Sequence, residues 1–454
     1  MTGSESVGLY GSEASPADQR AALTGGEVPV AVYGLGKMGL PLAAIYAELT
    51  GNVTGVDIDS TVVERIEAGE SPVEGEPGLD DLVRTLTTDG SLRASDSPAD
   101  AAAEAAVHVV IVPTTVTPEN RPDLAALDAV TKSIAAGLDP GDQVVVESTV
   151  PPGTCRDVVM PTLAERSGLS AEEFGVAFCP ERTASGRALQ DIRGAYPKVV
   201  GGVDRESTRV ARLVYDELSE NDVLVVSDAT TAESVKVFEG LYRDVNIALA
   251  NELARVRDDL GIDVVEAIEV ANTQPFCDLH LPGAGVGGHC IPYYPHFVFD
   301  RVETPMPLSR TAREVNDSMP SFLVETVAER LAARDVTLGD ATVAVLGLAY
   351  RPGVAETRAS PAKPLVEALR ARGAEVLVVD PVLDDDETTI PLTPLSALDA
   401  HALDAAVLVT AHPEFDAIDW AGLDSLVCVD GRDALGDLPA HHDVYSVGRG
   451  PRRS

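Results

Sequence analysis

The stretch Pro282-Gly283-Ala284-Gly285-Val286-Gly287-Gly288-His289-Cys290-Ile291-Pro292 sets four glycines in six positions and then delivers a cysteine. Glycines let the backbone approach a ligand closely, and a thiol carried at the end of such a run is presented for nucleophilic attack. The chain's five cysteines, an odd number without metal-type spacing, give no expectation of a disulfide framework or of a metal site. The plainer reading is a glycine-rich turn that ends in a buried, inert thiol. The choice between them depends on what else the chain carries.

A second constellation lies near the N-terminus. Val28-Pro29-Val30-Ala31-Val32-Tyr33 reads as a buried strand that runs into Gly34-Leu35-Gly36-Lys37-Met38-Gly39, with a helix expected to about residue 49. The next strand, Val53-Thr54-Gly55-Val56-Asp57, ends on an acid. Strand, G-x-G-x-x-G, helix, strand and acid together form the dinucleotide arrangement. The glycines admit the pyrophosphate to the helix N-terminus. Asp57 suits a ribose diol and disfavours a 2′-phosphate, so NAD is expected rather than NADP. Further strands at 107–112 and 143–147 lead into Pro113-Thr114-Thr115 and Ser148-Thr149-Val150-Pro151-Pro152-Gly153. Loops at the carboxyl ends of strands are where an open α/β sheet binds its ligand.

These elements need a large frame. A chain of 454 residues should form two or three domains, because single cores stop growing near roughly 250–300 residues. The reading is α/β: two Rossmann-like domains joined by a long central helix. Residues 1–26 are expected as a disordered tail, 27–226 as the NAD-binding domain, 227–333 as a central helical dimerisation and catalytic domain, and 334–454 as a second nucleotide-type domain. The long helical pattern starts at Ala229. The second α/β unit opens at Thr342 and repeats the strand–Gly–helix–strand–acid order up to Asp380 without the full glycine fingerprint, so it should bind something other than NAD.

Charge narrows the partners. With 34 basic against 73 acidic residues the net charge is -39, which excludes nucleic acid and anionic membrane as general partners. Hydrophobic residues still make up 45%, enough for cores. Only five lysines occur, Lys37, Lys132, Lys198, Lys236 and Lys363, a composition suited to a salt-rich, halophilic cytoplasm that screens self-repulsion. The first residues lack the basic-then-apolar order of a signal peptide, and no stretch reaches the roughly 20 apolar residues of a membrane span. A cytoplasmic protein is expected.

Six ordered motifs carry a resemblance: Gly34 to Gly39; Glu147-Ser148-Thr149-Val150-Pro151-Pro152-Gly153-Thr154; Cys179-Pro180-Glu181-Arg182; Glu233-Ser234-Val235-Lys236; Gly287-Gly288-His289-Cys290; and Gly347-Leu348-Ala349-Tyr350-Arg351. From Val28 to about Leu435 the chain resembles the UDP-sugar 6-dehydrogenases of the UDP-glucose/UDP-N-acetylmannosamine dehydrogenase superfamily, in its N-acetylhexosamine branch. The resemblance implies a homodimer or dimer-based oligomer acting on a UDP-sugar. It implies a four-electron oxidation of UDP-N-acetyl-D-mannosamine at C6 with two NAD in succession, for polysaccharide assembly. UDP-N-acetylglucosamine and UDP-glucose are the nearest other substrates. A two-electron hydroxyacid or phosphogluconate-type dehydrogenase and a non-catalytic nucleotide-sugar binder are the readings of other classes.

Cys290 is then implied as the thiol that captures the C6 aldehyde as a thiohemiacetal, oxidised next to a thioester. Glu181 is implied as the base for the hydrolytic water and Lys236 as the cation beside the C6 oxygen. Gly34, Gly36, Met38, Gly39, Asp57, Thr114, Thr149 and Arg358 are implied to hold NAD. Arg243, Asn246, Gly287, Arg351 and Arg432 are implied to hold the UDP-sugar. A surface ion pair of Arg243 with Asp244 or Glu239 is the simpler alternative for that arginine. Three positions depart from the family pattern: Ser185 and Tyr294 each stand where an acid is usual, and Gly240 stands where an asparagine is usual.

Overall fold

The computed structural model describes residues 8–183, 186–384 and 386–452. The chain separates into two compact units, one of residues 1–238 with 296–302 and one of residues 239–295 with 303–454.

The first unit is built on eight strands: β1 (Val30–Tyr33), β2 (Val53–Val56), β3 (Leu92–Ser95), β4 (Val107–Val110), β7 (Gln143–Val146), β8 (Gly175–Phe178), β9 (Lys198–Gly202) and β10 (Val223–Val225). A small antiparallel hairpin, β5 (Thr115–Val116) and β6 (Pro122–Asp123), interrupts that count. The sheet order is β10-β9-β8-β7-β4-β1-β2-β3. Pairing is parallel except between β8 and β9. β1, β4 and β7 are buried along their whole length, as mostly apolar central strands covered on both faces are, with His108 and Gln143 their only polar side chains besides the Tyr33 hydroxyl. The strand order reverses between β1 and β4, so the loops after those two strands open the crevice where such sheets bind ligands.

The expected disordered tail of residues 1–26 is corrected from residue 8 onward. Pro16–Thr24 is a helix, with Ser15 at its N-cap accepting from Asp18 N. Leu9 and Leu23 are fully buried in the core, each worth roughly 1.5–3 kcal/mol, and Arg209 donates to Leu9 O. Composition suggested disorder because the anchoring residues are few and spaced apart.

The second unit holds β11 (Thr342–Leu346), β12 (Glu375–Val379), β13 (Ala405–Leu408), β14 (Val427–Asp430), β15 (Asp443–Ser446) and β16 (Gly450–Pro451). Their order is β12-β11-β13-β14-β15-β16, parallel except for the last pair. The helix Met319–Ala332 packs onto this sheet, and Met319, Leu323, Val324 and Val327 share its core with Ala254 and Ala284. The expected central region, 227–333, is thus not a compact unit of its own: residues up to 238 and 296–302 group with the first unit and the rest with the second, where Ala254, Ala284 and the helix Met319–Ala332 share the core of the C-terminal sheet.

The long helix runs from Ala229 to Arg255 and crosses from one unit into the other at residue 238. Among the described residues no helix is long and apolar enough to cross a membrane.

Candidate active site

In the first unit the Gly34–Gly39 turn follows β1 directly. Gly34 has φ 97°, a conformation that side chains rarely adopt. Gly39 starts the helix Gly39–Thr50 in such close contact with Gly34 O that no side chain fits there. A Cβ added at Gly36, in contrast, would meet nothing within 4 Å. The helix has no side-chain cap at Met38. An open glycine beside an uncapped helix N-terminus fits a dinucleotide pyrophosphate. Asp57, half-buried, accepts from Leu35 N at 2.8 Å and from Asp59 N at 3.0 Å, which fixes its carboxylate at the rim where a ribose diol would lie. The residues therefore fit NAD.

The other predicted residues of this unit gather around that turn. Thr114 Oγ1 donates to Thr149 O at 2.6 Å, and Ser148 Oγ donates to Val112 O at 2.7 Å, so the loops after β4 and β7 are tied together. Thr183 Oγ1 lies 2.8 Å from Met38 Sδ, which brings the segment after β8 against the glycine turn. That segment carries Glu181. Lys236 Nζ donates to Glu181 O and lies 3.8 Å from Glu181 Oε2; both side chains are mostly buried. A base and a cation side by side can move a proton and balance a developing oxyanion. Ser185 lies outside the described residues.

Two carboxylates behind the site escaped the sequence reading. Glu233 accepts from the backbone N–H of Gly153 and of Cys155, and so anchors the Thr149–Gly153 loop to the long helix. Glu147, fully buried at the end of β7, accepts from the Tyr215 hydroxyl. Burial pushes its carboxyl up to about 7, against the pull of Lys198 and of that hydroxyl. Both stand inside the quoted motifs, where a buried acid cannot be told from a surface one.

In the second unit Cys290 is exposed, whereas Cys155, Cys179 and Cys428 are buried and Cys277 is half-buried. The turn that presents it is packed tightly. Gly288 has φ 85°, donates its N–H to Arg358 O at 2.9 Å, and leaves no room for a Cβ beneath the Tyr350 ring. Gly287 meets Tyr350 in the same way. Glu356 Oε1 lies 3.3 Å from His289 Nδ1 and 3.2 Å from Arg358 Nε, so the carboxylate ties the histidine beside the thiol to the predicted arginine. Tyr350 is pushed up by burial and then by the charges of Glu356 and Cys290, which keeps its phenol a donor near the thiol.

Arg432 Nε donates to Val409 O at 2.6 Å and Nη2 to Gly285 O at 3.4 Å, so it braces the start of the glycine loop against the end of β13. Arg351 is exposed. Arg243, on the long helix, is exposed as well, and its charge helps lower the His280 pKa behind the main effect of burial. Its suggested partner Asp244 is taken: that carboxylate pairs with Arg313 and accepts from Asn316 Nδ2 at 2.8 Å. Asn246 donates back to Tyr242 O at 3.3 Å.

A buried polar chain continues from Asp244. Asn316 Oδ1 accepts from Asn251 Nδ2 at 2.8 Å, and Asn251 Oδ1 accepts from Gly283 N at 2.9 Å. It clips the glycine loop to the long helix and was missed in the sequence. The available signal was a polar stripe, Ser309, Arg313 and Asn316, at helical spacing on a face that proves buried.

Known proteins share this layout. Residues 28–219 match the NAD binding domain of the UDP-glucose/GDP-mannose dehydrogenase family, residues 230–318 its central domain, and residues 344–437 its UDP binding domain. The UDP-N-acetyl-D-mannosamine dehydrogenase of Pyrococcus horikoshii is 35% identical over 93% of this chain and 99% of its own. The NDP-N-acetyl-D-galactosaminuronic acid dehydrogenase of Ralstonia nicotianae is 36% identical over 89% of this chain and 95% of its own. The solved structure of the Pyrococcus horikoshii UDP-D-ManNAc dehydrogenase superposes with a TM-score of 0.85 at 34% identity, covering 93% of this chain and all of that one. With the NAD binding, central and UDP binding domains matched in order along the sequence, the chain belongs to the UDP-glucose/GDP-mannose dehydrogenase family.

Proposed function

We propose that this NAD-dependent enzyme oxidises the C6 alcohol of UDP-N-acetyl-D-mannosamine to the carboxylate, with Cys290 holding the carbon between two oxidations. The observation that carries the reading is Cys290 itself, the exposed thiol of the five, at the tip of a turn braced by Tyr350 and Arg432. The choice of sugar is supported by the relatives of that name, which align over most of their own length.

Gly34, Gly36, Met38, Gly39, Asp57, Thr114 and Thr149 hold NAD, which when bound accepts the hydride that C6 gives up in each oxidation. Lys236 balances the charge on the C6 oxygen as the alcohol gives up its proton to solvent water. The Cys290 thiolate adds to the aldehyde carbon, forming a C–S bond and a tetrahedral centre that carries a hydrogen able to leave as hydride. Loss of that hydride leaves a thioester. Glu181 takes a proton from water, the resulting hydroxide attacks the thioester, and the C–S bond breaks; the new acid passes its proton to the departing sulfur, which releases the carboxylate and the Cys290 thiol. Arg351, Arg358, Arg432, Arg243, Asn246 and Gly287 serve the nucleotide sugar and the neighbouring NAD, arginine being suited to paired contacts with phosphate.

The functional form is a cytoplasmic homodimer or an oligomer of dimers. Phe238, Tyr242 and Leu249 of the long helix are 58%, 51% and 44% exposed, an apolar surface of the kind a second copy covers.

Purified protein in concentrated salt with NAD should yield two NADH per UDP-N-acetyl-D-mannosamine, and more slowly or not at all with the N-acetylglucosamine, N-acetylgalactosamine and glucose nucleotides. Cys290→Ser should abolish the second NADH. A single NADH per substrate with full activity in Cys290→Ser would point to the two-electron dehydrogenases, and binding without turnover to a regulator.

A further inference from the structure

Gly240 sits inside the long helix, where glycine costs about 1 kcal/mol relative to alanine. Its backbone does not demand glycine, for it is absent from the residues with positive φ. The reason visible around it is a ring. A Cβ at position 240 would lie 3.0 Å from Tyr294 Cβ and Cγ, and closer still to Cδ2. Tyr294 is 7% exposed and opens the helix Tyr294–Phe299. Its N–H donates to Cys290 O at 3.0 Å, and Tyr293 N donates to the same carbonyl at 3.2 Å. The ring that fills the Gly240 notch thus belongs to the residue bonded to the backbone of the reactive thiol.

We infer that Gly240 and Tyr294 are a matched notch and ring that fix the Cys290 turn against the long helix, which makes Tyr294 a positioning residue for the thiol. The two family departures at these positions become one exchange: the helix gives up a side chain and the loop supplies a larger one. Glycine at 240 lets the ring close onto the helix backbone, and the hydrogen bonds to Cys290 O carry that placement to the thiol. The functional consequence rests on the reading of Cys290 as the covalent thiol. The geometric part does not, so a probe of the thiol alone is included in the test.

Gly240→Ala, Tyr294→Ala, Tyr294→Phe and the double variant Gly240→Ala/Tyr294→Ala would be compared in the full-length protein. Two readouts apply: NADH production with UDP-N-acetyl-D-mannosamine, and the rate of Cys290 alkylation by iodoacetamide, followed on the Cys290 peptide. A thiol displaced by a fraction of an ångström should lower kcat about 10- to 100-fold in Gly240→Ala and in Tyr294→Ala, with the sugar KM within about threefold. The alkylation rate should shift about threefold or more. Tyr294→Phe, which keeps the ring, should restore most of what Tyr294→Ala loses. The double variant should nearly match Tyr294→Ala alone, since without the ring the added methyl meets only the Cβ of residue 294, at 3.0 Å, which a shift of a few tenths of an ångström relieves.

Additive losses in the double variant, or a phenylalanine as damaging as alanine, would overturn the inference. So would unchanged kcat and alkylation in Gly240→Ala. Should Gly240→Ala not fold, the double variant must fold, and its failure would also overturn the inference. An altered alkylation rate in a protein inactive on every UDP-sugar would uphold the notch and ring while removing the proposed reaction.

Discussion

The turns after β1 and after β11 begin alike and end differently. Each follows a buried parallel strand with a positive-φ glycine, Gly34 or Gly347, and each is faced by the acid that ends the neighbouring strand, Asp57 or Asp380. In the first, the next glycine is open, the helix begins at once, and Asp57 stays half-buried at the rim. In the second, Ala349 replaces the open glycine and the next helix waits until Ala362. Asp380 is consumed there: Leu348 N and Ala349 N both donate to its Oδ2 at 2.7 Å, Val382 N donates to Oδ1 at 3.0 Å, and His412 Nε2 lies 3.3 Å away. Burial alone would raise its carboxyl; the His412 contact and those N–H groups hold it below the usual range. A binding acid and a structural acid thus occupy the same place in two related sheets. What separates them is whether the backbone leaves the carboxylate a free face.

The comparison predicts opposite losses. Asp380→Ala strands buried N–H groups and should cost about 3 kcal/mol of stability, read from Trp420 fluorescence, since the single tryptophan lies in the second unit. NAD affinity should stay unchanged. Asp57→Ala should weaken NAD about 10- to 100-fold and cost about 1 kcal/mol or less. If both acids behave alike in either assay, the distinction fails.

A second contrast is in pH. Asp380, with a depressed carboxyl, contributes stability that is present above the ordinary aspartate range and lost as pH falls through its folded value. Glu147, with a carboxyl raised to about 7, does the reverse: its ionisation is resisted, so stability declines as pH rises from the ordinary glutamate range to about 7. Melts of the native protein set against Asp380→Asn and Glu147→Gln should show stability differences that grow at opposite ends of the scale. Glu147→Gln should gain relative stability toward neutral pH, and a flat difference would count against the buried acid.

The smallest effects are at the second glycine position. A Cβ at Gly36 meets no protein atom within 4 Å, so Gly36→Val should leave the melting temperature within about a degree while raising the KM for NAD about tenfold, because the side chain fills the pyrophosphate's approach. Ala349→Gly should cost about 0.5–1 kcal/mol and create no NAD site, for the helix N-terminus is still missing.

Much of this was legible in advance. The strands flanking the NAD turn and those at 107–112, 143–147, 342–346 and 375–379, the turn itself, the long helix from Ala229 and the candidate thiol follow from local pattern, because periodicity and glycine spacing are written in neighbouring residues. The folded segment from residue 8 to 26 and the sharing of the central region between two units were not, since each depends on surfaces contributed by distant elements. Cys290, Glu181 and Lys236 were named from motifs, yet the bracing by Arg432, Glu356 and Asn251 in the second unit and by Glu233 in the first was invisible: a polar residue shows its partner only after folding.

By itself the sequence determined the chemistry on offer: an NAD turn, a second nucleotide-type sheet, and one cysteine on a glycine loop. Only the tertiary structure decided which groups are spent on the fold and which remain for a ligand. Asp380 is saturated while Asp57 is open, and Gly240 and Tyr294, two unrelated departures along the chain, prove to be one contact. The physical reason is that burial and hydrogen-bond satisfaction belong to pairs of residues brought together from distant segments, and no residue type or local spacing carries them.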